Sequence, residues 1–321
     1  MMALQIALAG NANVGKSALF NYLTGLHQHI GNWPGKTIEK AEGTLKFKGK
    51  EINVIDLPGI YSLSTFSTEE LVSRDYIARE NPDVVVNVLD ASVLERNLFF
   101  TLQLIELGRP VVVALNMVDI AANRGVKVDA KKLSELLGVP VVPIVATKGM
   151  GIPDLMRAVL RASKEKQKPF TLEYRKPVEE KVRAIADMVK PLRLDYPPRW
   201  VAVKLLEEDG RITSLVKRRD PAILKKVSAM LKEIGKRCGQ PGSVAVSSER
   251  YSAAEMMARG CIELRSTDVP IGQKLDAFLL HRFAGYFFLL LAAGASFLLI
   301  FASGDFAAEP LMEFLASVKE S

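Results

Sequence analysis

The feature that most constrains this fold is the segment 10–17, which reads Gly-Asn-Ala-Asn-Val-Gly-Lys-Ser and fits the pattern G-x-x-x-x-G-K-[ST]. The apolar run Leu4–Ala9 precedes it, and a helical pattern, Ser17–Leu23, follows it. A glycine-rich turn without a ligand is the alternative, but a strand before and a helix after favour a P-loop. We therefore expect backbone amides to face phosphate groups, with Lys16 on the β- and γ-phosphates and the Ser17 hydroxyl on Mg²⁺.

Short apolar runs rich in β-branched residues recur through the first 165 residues, and helical patterns separate them. The runs are Leu4–Ala9, Ile52–Ile55, Val84–Leu89, Val111–Leu115 and Val139–Val145. Such alternation is typical of an α/β fold with a doubly wound, mostly parallel sheet. Two stretches, Thr44–Phe47 and Glu51–Ile55, flank Lys48-Gly49-Lys50 and predict a hairpin, so one strand of the sheet should be antiparallel.

Two acidic motifs follow predicted strands. Asp56-Leu-Pro-Gly59 offers a carboxylate that can hold Mg²⁺ through water and a glycine N–H that can approach a γ-phosphate. Asn116-Met-Val-Asp119 offers a carboxylate that can accept hydrogen bonds from N1–H and the N2 amino group of guanine, which adenine lacks. Taken singly, Asn116 and Asp119 are ordinary loop caps, but after a P-loop they indicate a guanine nucleotide. The backbone N–H of Ala146 can donate to guanine O6.

The composition changes after a polar, basic break at residues 164–177. Helical stripes replace the strand patterns, so residues 171–270 are predicted to form a small all-α domain. Residues 171–282 carry 22 Lys and Arg against 15 Asp and Glu, an excess that suits anionic lipid better than nucleic acid, and we expect no nucleic-acid partner. The hydrophobic content of 49% excludes a disordered chain, and the two cysteines lack metal-like spacing, which favours a reducing compartment.

A stretch of 20 residues without a charge, Phe283–Ala302, comes near the end of the sequence. Its length matches the hydrocarbon core of a bilayer, so a transmembrane helix is predicted within residues 275–303, with a buried core helix as the alternative. Lys274 and Arg282 flank its start and acidic residues follow its end. By the positive-inside rule, residues 1–282 are expected in the cytoplasm and residues 304–321 form a short extracytoplasmic tail.

With these motifs in place, the chain resembles the bacterial ferrous iron transport protein B (FeoB) family. Besides the P-loop, the resemblance is carried by three stretches: Ile30-Gly-Asn-Trp-Pro-Gly-Lys-Thr37, Asp56-Leu-Pro-Gly-Ile-Tyr-Ser-Leu63 and Glu95-Arg-Asn-Leu98. The match is close over residues 3–165 and looser over residues 171–270. It implies a Ras-like P-loop GTPase domain over residues 1–165, then a helical domain associated with holding GDP, and then the family's first membrane helix.

The motifs and the resemblance together predict one nucleotide site. Its predicted nucleotide-binding residues are Gly10, Asn11, Ala12, Asn13, Val14, Gly15, Lys16, Ser17, Gly35, Thr37, Asp56, Gly59, Asn116, Met117, Asp119, Ala146 and Thr147. The resemblance places Thr37 in switch I, where it would complete the Mg²⁺ shell of Ser17 and Asp56. The predicted catalytic residues are Asn13, Lys16, Thr37 and Gly59.

Two positions depart from common GTPase patterns. Ile60 stands where a Ras-like GTPase has the glutamine that orients the attacking water, so slow hydrolysis is expected. The resemblance implies that K⁺ stimulates this hydrolysis. The resemblance implies that Asn13 and switch I carbonyls hold this K⁺, and a plain turn residue is the alternative for Asn13. Val145 stands where the family usually has a serine, and loss of that hydroxyl is expected to weaken the guanine loop.

The resulting hypothesis is a module that binds GTP and hydrolyses it to GDP and phosphate. It would belong to a ferrous iron (Fe²⁺) transporter of the bacterial inner membrane and couple nucleotide state to the membrane part. A membrane-anchored regulatory or assembly GTPase without transport activity is the alternative. Because one span cannot enclose an ion pathway, the expected partners are the remaining membrane part or other transporter subunits, together with the lipid bilayer and a second copy of the chain.

Overall fold

The computed structural model describes residues 3–25, 27–63, 67–165, 170–264, 279–281 and 285–301. It divides into two units, Met1–Arg265 and Ser266–Ser321. The strands of the first unit are β1 (Leu4–Gly10), β2 (Gln28–Asn32), β3 (Glu39–Phe47), β4 (Lys50–Asp56), β5 (Val84–Asp90), β6 (Val111–Asn116), β7 (Val126–Val128), β8 (Val141–Pro143) and β9 (Ile262–Leu264).

One seven-stranded sheet has the order β2-β3-β4-β1-β5-β6-β8. β1 pairs in parallel with β4 and β5, and β6 pairs in parallel with β5 and β8. β3 runs antiparallel to both of its neighbours, β2 and β4. The predicted hairpin and the single reversed strand direction are therefore confirmed. Because parallel strands end at the same edge, the residues after β1, β4, β6 and β8 lie at one end of the sheet.

Helices cover both faces of this sheet. They are α1 (Lys16–Thr24), α2 (Thr68–Asp75), α3 (Leu94–Glu106), α4 (Val118–Asn123), α5 (Ala130–Leu137) and α6 (Ile152–Ala162), and a π-helical turn, Tyr76–Glu80, continues α2. Successive residues of β1 point to opposite faces: Ile6 and Leu8 join an apolar cluster with α1 and α6, whereas Ala7 and Ala9 join one with α2 and α3. The predicted doubly wound α/β fold is confirmed.

Two strands of the seven-stranded sheet differ most from the sequence-based expectation, and the short strand β7, which lies outside that sheet, was not predicted. β8 is shorter than the predicted run Val139–Val145, because Val145 leaves the sheet and pairs with Met150 in an isolated antiparallel bridge that closes the next loop. β2 was not predicted at all. Its residues are mostly exposed and show no apolar alternation, so only backbone pairing with β3 makes it a strand.

The second half of the first unit consists mainly of helices: α7 (Lys176–Val189), α8 (Pro198–Leu206), α9 (Gly210–Arg219), α10 (Pro221–Cys238) and α11 (Gly242–Cys261). Prolines in their first turns begin α7, α8 and α10, as their fixed φ allows. The predicted all-α character is confirmed, with one difference. α11 leads into β9, which pairs antiparallel with β7, so the helical segment returns to the sheet domain through a two-stranded ribbon.

The two halves of this unit share one apolar core. The cluster that holds Val85 and Leu115 of the sheet also holds Val182 of α7, Trp200 of α8 and Ala254 of α11, all buried. Sequence reasoning treated 1–165 and 171–270 as separate domains. The boundaries of the two domains remain predictions. The apolar side chains of both halves are nevertheless buried in one cluster, because α3 packs against α11.

In the second unit, the described residues 285–301 are helical, and their large apolar side chains are exposed. No helix among the residues that the structure describes has both the length and the apolar character that a membrane crossing requires. Of the predicted membrane helix, residues 275–303, the positions 275–278, 282–284, 302 and 303 lie outside the described residues, as do residues 304–321 of the predicted tail. The predicted membrane helix therefore remains a prediction.

Candidate nucleotide site

The P-loop lies between the end of β1 and the start of α1. Gly15 precedes α1 with φ 84°, a left-handed conformation that glycine adopts without strain. A Cβ atom at Gly15 would lie 2.3 Å from the Asn116 amide nitrogen, so a side chain cannot be accommodated there. Asn13 has φ 65° and is exposed, as are Ala12 and Ser17, whereas Asn11 and Val14 are buried. The loop thus turns sharply into the helix, as its glycines predict.

Lys16, Ser17 and Asp56 meet at the carboxyl ends of β1 and β4. The Lys16 ammonium contacts an Asp56 carboxylate oxygen, and the Ser17 hydroxyl lies beside this carboxylate. Burial raises the pKa of the Asp56 carboxyl above its ordinary value, although the nearby Lys16 charge opposes the change. The three side chains predicted for phosphate and metal are therefore brought together by the fold.

The segment after Asp56 packs directly on the P-loop. The Leu57 N–H donates to the Leu8 carbonyl at 3.0 Å, and the Ile60 N–H donates to the Gly10 carbonyl at 3.2 Å. A Cβ atom on Gly59 would lie 3.2 Å from Cα of Ala12, so glycine permits this close approach. Ile60 is buried, with 3% of its surface exposed. Its side chain therefore belongs to the core and faces no water.

Asn116 joins the P-loop to the predicted guanine loop. Its Nδ2 donates to the Val14 carbonyl at 2.9 Å, and its Oδ1 accepts from the Ala146 N–H at 2.9 Å. Both contacts are buried, so each pairs a backbone group that would otherwise lose its hydrogen bond to water. Sequence reasoning assigned Asn116 to base recognition only. Its bridging role has no signal in the linear motif, because Val14 and Ala146 lie far from it in sequence.

Asp119 lies in the first turn of α4, whose N-cap residue, Met117, has φ 60°. Its carboxylate accepts a hydrogen bond from the Lys148 ammonium at 2.8 Å. This contact holds the pKa of the Asp119 carboxyl below its usual value. Lys148 was not among the predicted site residues. It comes from the same loop as Ala146 and the exposed Thr147, and a cation two positions after Ala146 is the only signal that could have indicated it.

The guanine loop is braced without the serine that the family resemblance implies. Val145 is buried, and its N–H donates to the Met150 carbonyl at 3.0 Å. Gly149 has φ 70°, and the phenol ring of Tyr22 on α1 packs where a side chain on Gly149 would lie. The loop between β8 and α6 is therefore supported by backbone pairing and by α1.

The predicted switch I residues, 30–37, form the end of β2 and the turn that leads to β3. Trp33 is buried against Tyr76 with its ring centroid 5.3 Å away, and the Trp33 N–H donates to the Ile38 carbonyl at 2.9 Å. Gly35 and Thr37 are exposed. Among the hydrogen bonds of the described residues, none joins Thr37 to Ser17 or Asp56. The structure thus brings Thr37 to the edge of the sheet and does not bring it into contact with the other predicted Mg²⁺ ligands.

This geometry defines a class of protein. A P-loop after β1, an Asp-x-x-Gly motif packed on it after β4, and an Asn-x-x-Asp motif beside the Ala146 amide make the chain a P-loop GTPase in fold. The family is equally clear from comparison. Sequence profiles described as "Ferrous iron transport protein B" and "FeoB cytosolic helical domain" match residues 4–159 and 174–263. The chain belongs to the ferrous iron transport protein B family.

Two solved structures and two curated relatives illustrate this likeness. The cytosolic domain of L. pneumophila FeoB is 35% identical, with a TM-score of 0.70 over 81% of this chain and 99% of that chain. A GDP-bound mutant of the S. thermophilus FeoB G-domain is 35% identical, with a TM-score of 0.75 over 81% of this chain and 100% of that chain. The Fe(2+) transporter FeoB of Methanocaldococcus jannaschii is 38% identical over 280 residues, or 86% of this chain.

The second curated relative is an Fe(2+) transport protein A/Fe(2+) transporter FeoB fusion protein of Porphyromonas gingivalis. It is 37% identical over 303 residues, or 90% of this chain. The matched part is 36% of the Porphyromonas protein and 42% of the Methanocaldococcus protein. The chain therefore spans well under half the length of the curated relatives that it matches.

Proposed function

We propose that this chain binds GTP between the P-loop and the Ala146 loop and hydrolyses it to GDP and phosphate, as the nucleotide-responsive part of a ferrous iron transporter. The observation that carries the proposal is the Asn116 bridge, because one buried side chain holds the phosphate loop and the guanine loop in a fixed relation. Asp119, one turn further on, supplies the acceptors that match guanine N1–H and N2. The GDP-bound state of the similar S. thermophilus G-domain supports this choice of nucleotide.

The phosphate end of the site fits Mg²⁺. Ser17 lies in the first turn of α1 and Asp56 ends β4, so they offer a hydroxyl and a carboxylate at the same end of the sheet, and Mg²⁺ prefers such oxygen donors. The ion would neutralise charge on the β- and γ-phosphate oxygens. Lys16 already lies against Asp56, so its ammonium is positioned to bind the same phosphates. Thr37 would join this site after a movement of switch I, which its exposed turn permits.

The reaction is in-line attack of water on the γ-phosphorus, with cleavage of the bond between that phosphorus and the bridging oxygen to GDP. Ile60 cannot orient the water, because its side chain is apolar and buried. Backbone N–H groups of the P-loop and Gly59 are left to position the phosphate and the water. A K⁺ ion near Asn13 would add positive charge between the β- and γ-phosphates, and the exposed, left-handed Asn13 leaves its amide free to reach it.

Nucleotide state reaches the helical segment through the chain that follows Gly59. The Leu63 N–H donates to the Gln103 side chain of α3 at 2.7 Å, and Arg74 of α2 pairs with Asp209 before α9 at 2.8 Å. Asp75 contacts Arg211 of α9. A change at Gly59 is therefore linked to α9 through α2, which supports coupling toward a membrane part in the bacterial inner membrane.

The nucleotide proposal is tested by titrating the full chain with GTP and ATP in the presence of Mg²⁺, using calorimetry. We expect a strong preference for GTP, which Asp119→Ala removes. Asp154→Ala, which deletes an exposed carboxylate outside the site, serves as the matched control and should retain the preference. Equal affinity of the unaltered chain for both nucleotides would contradict the proposal.

The K⁺ proposal is tested by measuring phosphate release from GTP in KCl and in NaCl at the same ionic strength. Stimulation by KCl is expected, and Asn13→Ala should abolish it while Asn123→Ala, on the exposed side of α4, should not. Equal rates in both salts would remove the cation from the mechanism.

Transport is tested in cells that express a complete transporter carrying this GTPase sequence. Lys16→Ala is expected to lower Fe²⁺ uptake together with GTP hydrolysis, because both depend on nucleotide state. Full uptake by a hydrolysis-deficient variant would instead favour the alternative, a membrane-anchored regulatory GTPase without transport.

A further inference from the structure

Helices α9 and α10 hold a concentration of positive charge that the nucleotide site does not use. Residues 210–238 contain nine Lys and Arg against two acids, Asp220 and Glu233. This excess of seven equals the formal charge of +7 of the entire chain, so the remaining residues are neutral in sum. The basic character seen over residues 171–282 therefore has one source.

On α10, three of the lysines lie on the side opposite its buried residues. Ile223, Val227 and Ile234 form its buried side. At about 100° per residue, Lys225, Lys232 and Lys236 fall within about 40° of one another on the opposite side of the helix. All three lysines are exposed.

The last turn of α9 extends this charge directly before α10 begins. Its three exposed cations and the three lysines of α10 form what we call the basic stripe: Lys217, Arg218, Arg219, Lys225, Lys232 and Lys236. The exposed Lys226 lies about 100° further round α10 and is not counted in the stripe.

The two acids of this segment are engaged elsewhere. Glu233 contacts Lys181 of α7 at 2.6 Å and Arg237 at 3.0 Å, and Asp220 caps α10 by accepting from the Ala222 N–H at 2.9 Å. Among the ion pairs of the described residues, none includes a member of the basic stripe. These six exposed cations lie within a 20-residue segment and thus have their charge available to an external polyanion.

We propose that the basic stripe docks on an anionic phospholipid surface. The same chain carries helix 285–301, whose apolar side chains lie open to solvent: Leu290 is 73% exposed and Leu298 is 71% exposed. Apolar surface of this extent is what a bilayer covers, and an apolar anchor combined with a polybasic patch gives stable membrane attachment where either one is weak. The chain thus offers both signals that an anionic membrane recognises.

Nucleic acid is the competing polyanion, and the composition of the stripe disfavours it. Residues 210–238 contain no aromatic residue and no histidine, so no ring is available on which a base can stack. Lipid headgroups require only charge and access, which the stripe supplies. Each Lys or Arg near an anionic bilayer contributes about fivefold in affinity at moderate salt.

The test compares the full chain with two triple variants. Lys225→Gln/Lys232→Gln/Lys236→Gln removes three charges from the stripe. Lys46→Gln/Lys48→Gln/Lys50→Gln removes three exposed charges from the β3–β4 hairpin and serves as the matched control. Partition coefficients are measured by lipid titration with vesicles of phosphatidylcholine alone and of phosphatidylcholine mixed with phosphatidylglycerol. The ratio of the two coefficients cancels the contribution of the apolar helix, which does not depend on headgroup charge.

We expect the stripe variant to lower this ratio roughly 100-fold and the hairpin variant to leave it nearly unchanged. High salt should lower the ratio of the unaltered chain, because it screens exposed charges. Equal ratios for the two triple variants would overturn the proposal. The proposal would also be overturned if the stripe variant bound single-stranded RNA more weakly than the unaltered chain but kept the full preference of that chain for anionic vesicles.

A second measurement uses the exposed Cys238 at the end of α10, since Cys261 is buried and its pKa is raised by burial. A fluorescent donor on Cys238 should transfer energy to acceptor lipids more efficiently in anionic than in neutral vesicles, and the stripe variant should remove the difference. An unchanged difference in the stripe variant contradicts docking. GTP hydrolysis without lipid should be the same for all three proteins, so failure of the nucleotide proposal would be seen separately.

Discussion

At the scale of the residue, Asn116 shows how one side chain can organise a site that lies on three loops. It fills the space beside Gly15, pairs with Val14 and pairs with Ala146, and it has only 3% of its surface exposed. The amide nitrogen of Asn116 bonds to the P-loop, and its amide oxygen bonds to the Ala146 loop. A substitution that keeps only the oxygen therefore tests the two contacts separately.

We predict that Asn116→Asp retains the acceptor for the Ala146 N–H but loses the donor to Val14, and also buries a charge. Asn116→Ala loses both contacts. Each unpaired buried group costs about 1–3 kcal/mol, so both variants should lower the free energy of unfolding measured in urea. A fluorescent GDP analogue should bind both variants more weakly than the unaltered chain. Unchanged stability and affinity in Asn116→Ala would refute the bridging role.

At the scale of the element, α2 and α9 are joined by an ion pair that is cut off from water. The Arg74 side chain is fully buried and that of Asp209 is 3% exposed, and Asp209 also accepts from the Arg211 and Ile212 N–H groups at the start of α9. The guanidinium additionally lies over the Trp200 ring, 5.7 Å from its centroid. Arg74 thus ties the helix that follows Gly59 to the helical segment.

We predict that Arg74→Met lowers the free energy of unfolding by about 3–5 kcal/mol, because Asp209 is left as a buried charge without its counter-ion. The matched control is Lys127→Met. Lys127 pairs with Glu263 at 3.3 Å across β7 and β9, but both side chains are more than half exposed, so its loss should cost less than about 1 kcal/mol. Urea denaturation measures both. Equal costs would show that burial does not decide the strength of these pairs.

A second buried cluster joins α3, α8 and α11. The Glu207 carboxylate is desolvated by burial, but Lys204 at 2.7 Å and Arg250 beside it hold the pKa of this carboxyl at about 2. Arg250 also contacts Glu106 of α3 at 2.9 Å. A folded-state pKa below the unfolded-state value means that stability is present above the unfolded pKa and is lost as pH falls.

We predict that protonation of Glu207 removes about 3 kcal/mol of the free energy of unfolding between pH about 4.5 and pH about 2. Glu207→Gln should remove this part of the pH dependence and lower stability at neutral pH, since Arg250 and Lys204 lose a shared anion. Urea denaturation at a series of pH values gives both quantities. A Glu207→Gln profile parallel to that of the unaltered chain would contradict the assignment.

At the scale of the whole molecule, the sheet and the helical segment stabilise each other. Phe99 of α3 stacks on Tyr251 of α11 with centroids 4.0 Å apart, and the shared cluster runs from Ala7 to Cys261. β9 further pairs with β7. The structure therefore predicts that the GTPase half depends on the helical half for its own stability.

We predict that a fragment of residues 1–165 unfolds at lower urea concentration than residues 1–264 and binds the dye ANS, because α2 and α3 lose their apolar cover and Arg74 and Glu106 lose their charge partners. Residues 1–264 should unfold in one cooperative transition. Two separate transitions for that longer fragment, with the first matching residues 1–165, would show that the halves are independent.

The amino-acid sequence alone determined much of this protein. Apolar runs identified five parallel strands, and the P-loop, Asp56-x-x-Gly59 and Asn116-x-x-Asp119 indicated the candidate nucleotide site, because these motifs depend on short-range spacing within a few residues. Helices α7 and α10 were also predictable from the sequence, because their buried residues repeat at helical spacing and a proline lies in the first turn of each helix.

Other features depend on contacts between residues that are distant in sequence, and these appear only in the folded structure. The pairing of Asn116 with Val14, of Arg74 with Asp209 and of β9 with β7 joins residues about 100 or more positions apart, and no local pattern encodes such contacts. β2 became a strand because β3 offered backbone partners, and its own side chains show no alternation. The spacing of neighbouring residues specifies helices, strands and short motifs. Burial in a common core decides which distant polar groups must pair, because a buried polar group without a partner has lost its hydrogen bonds to water.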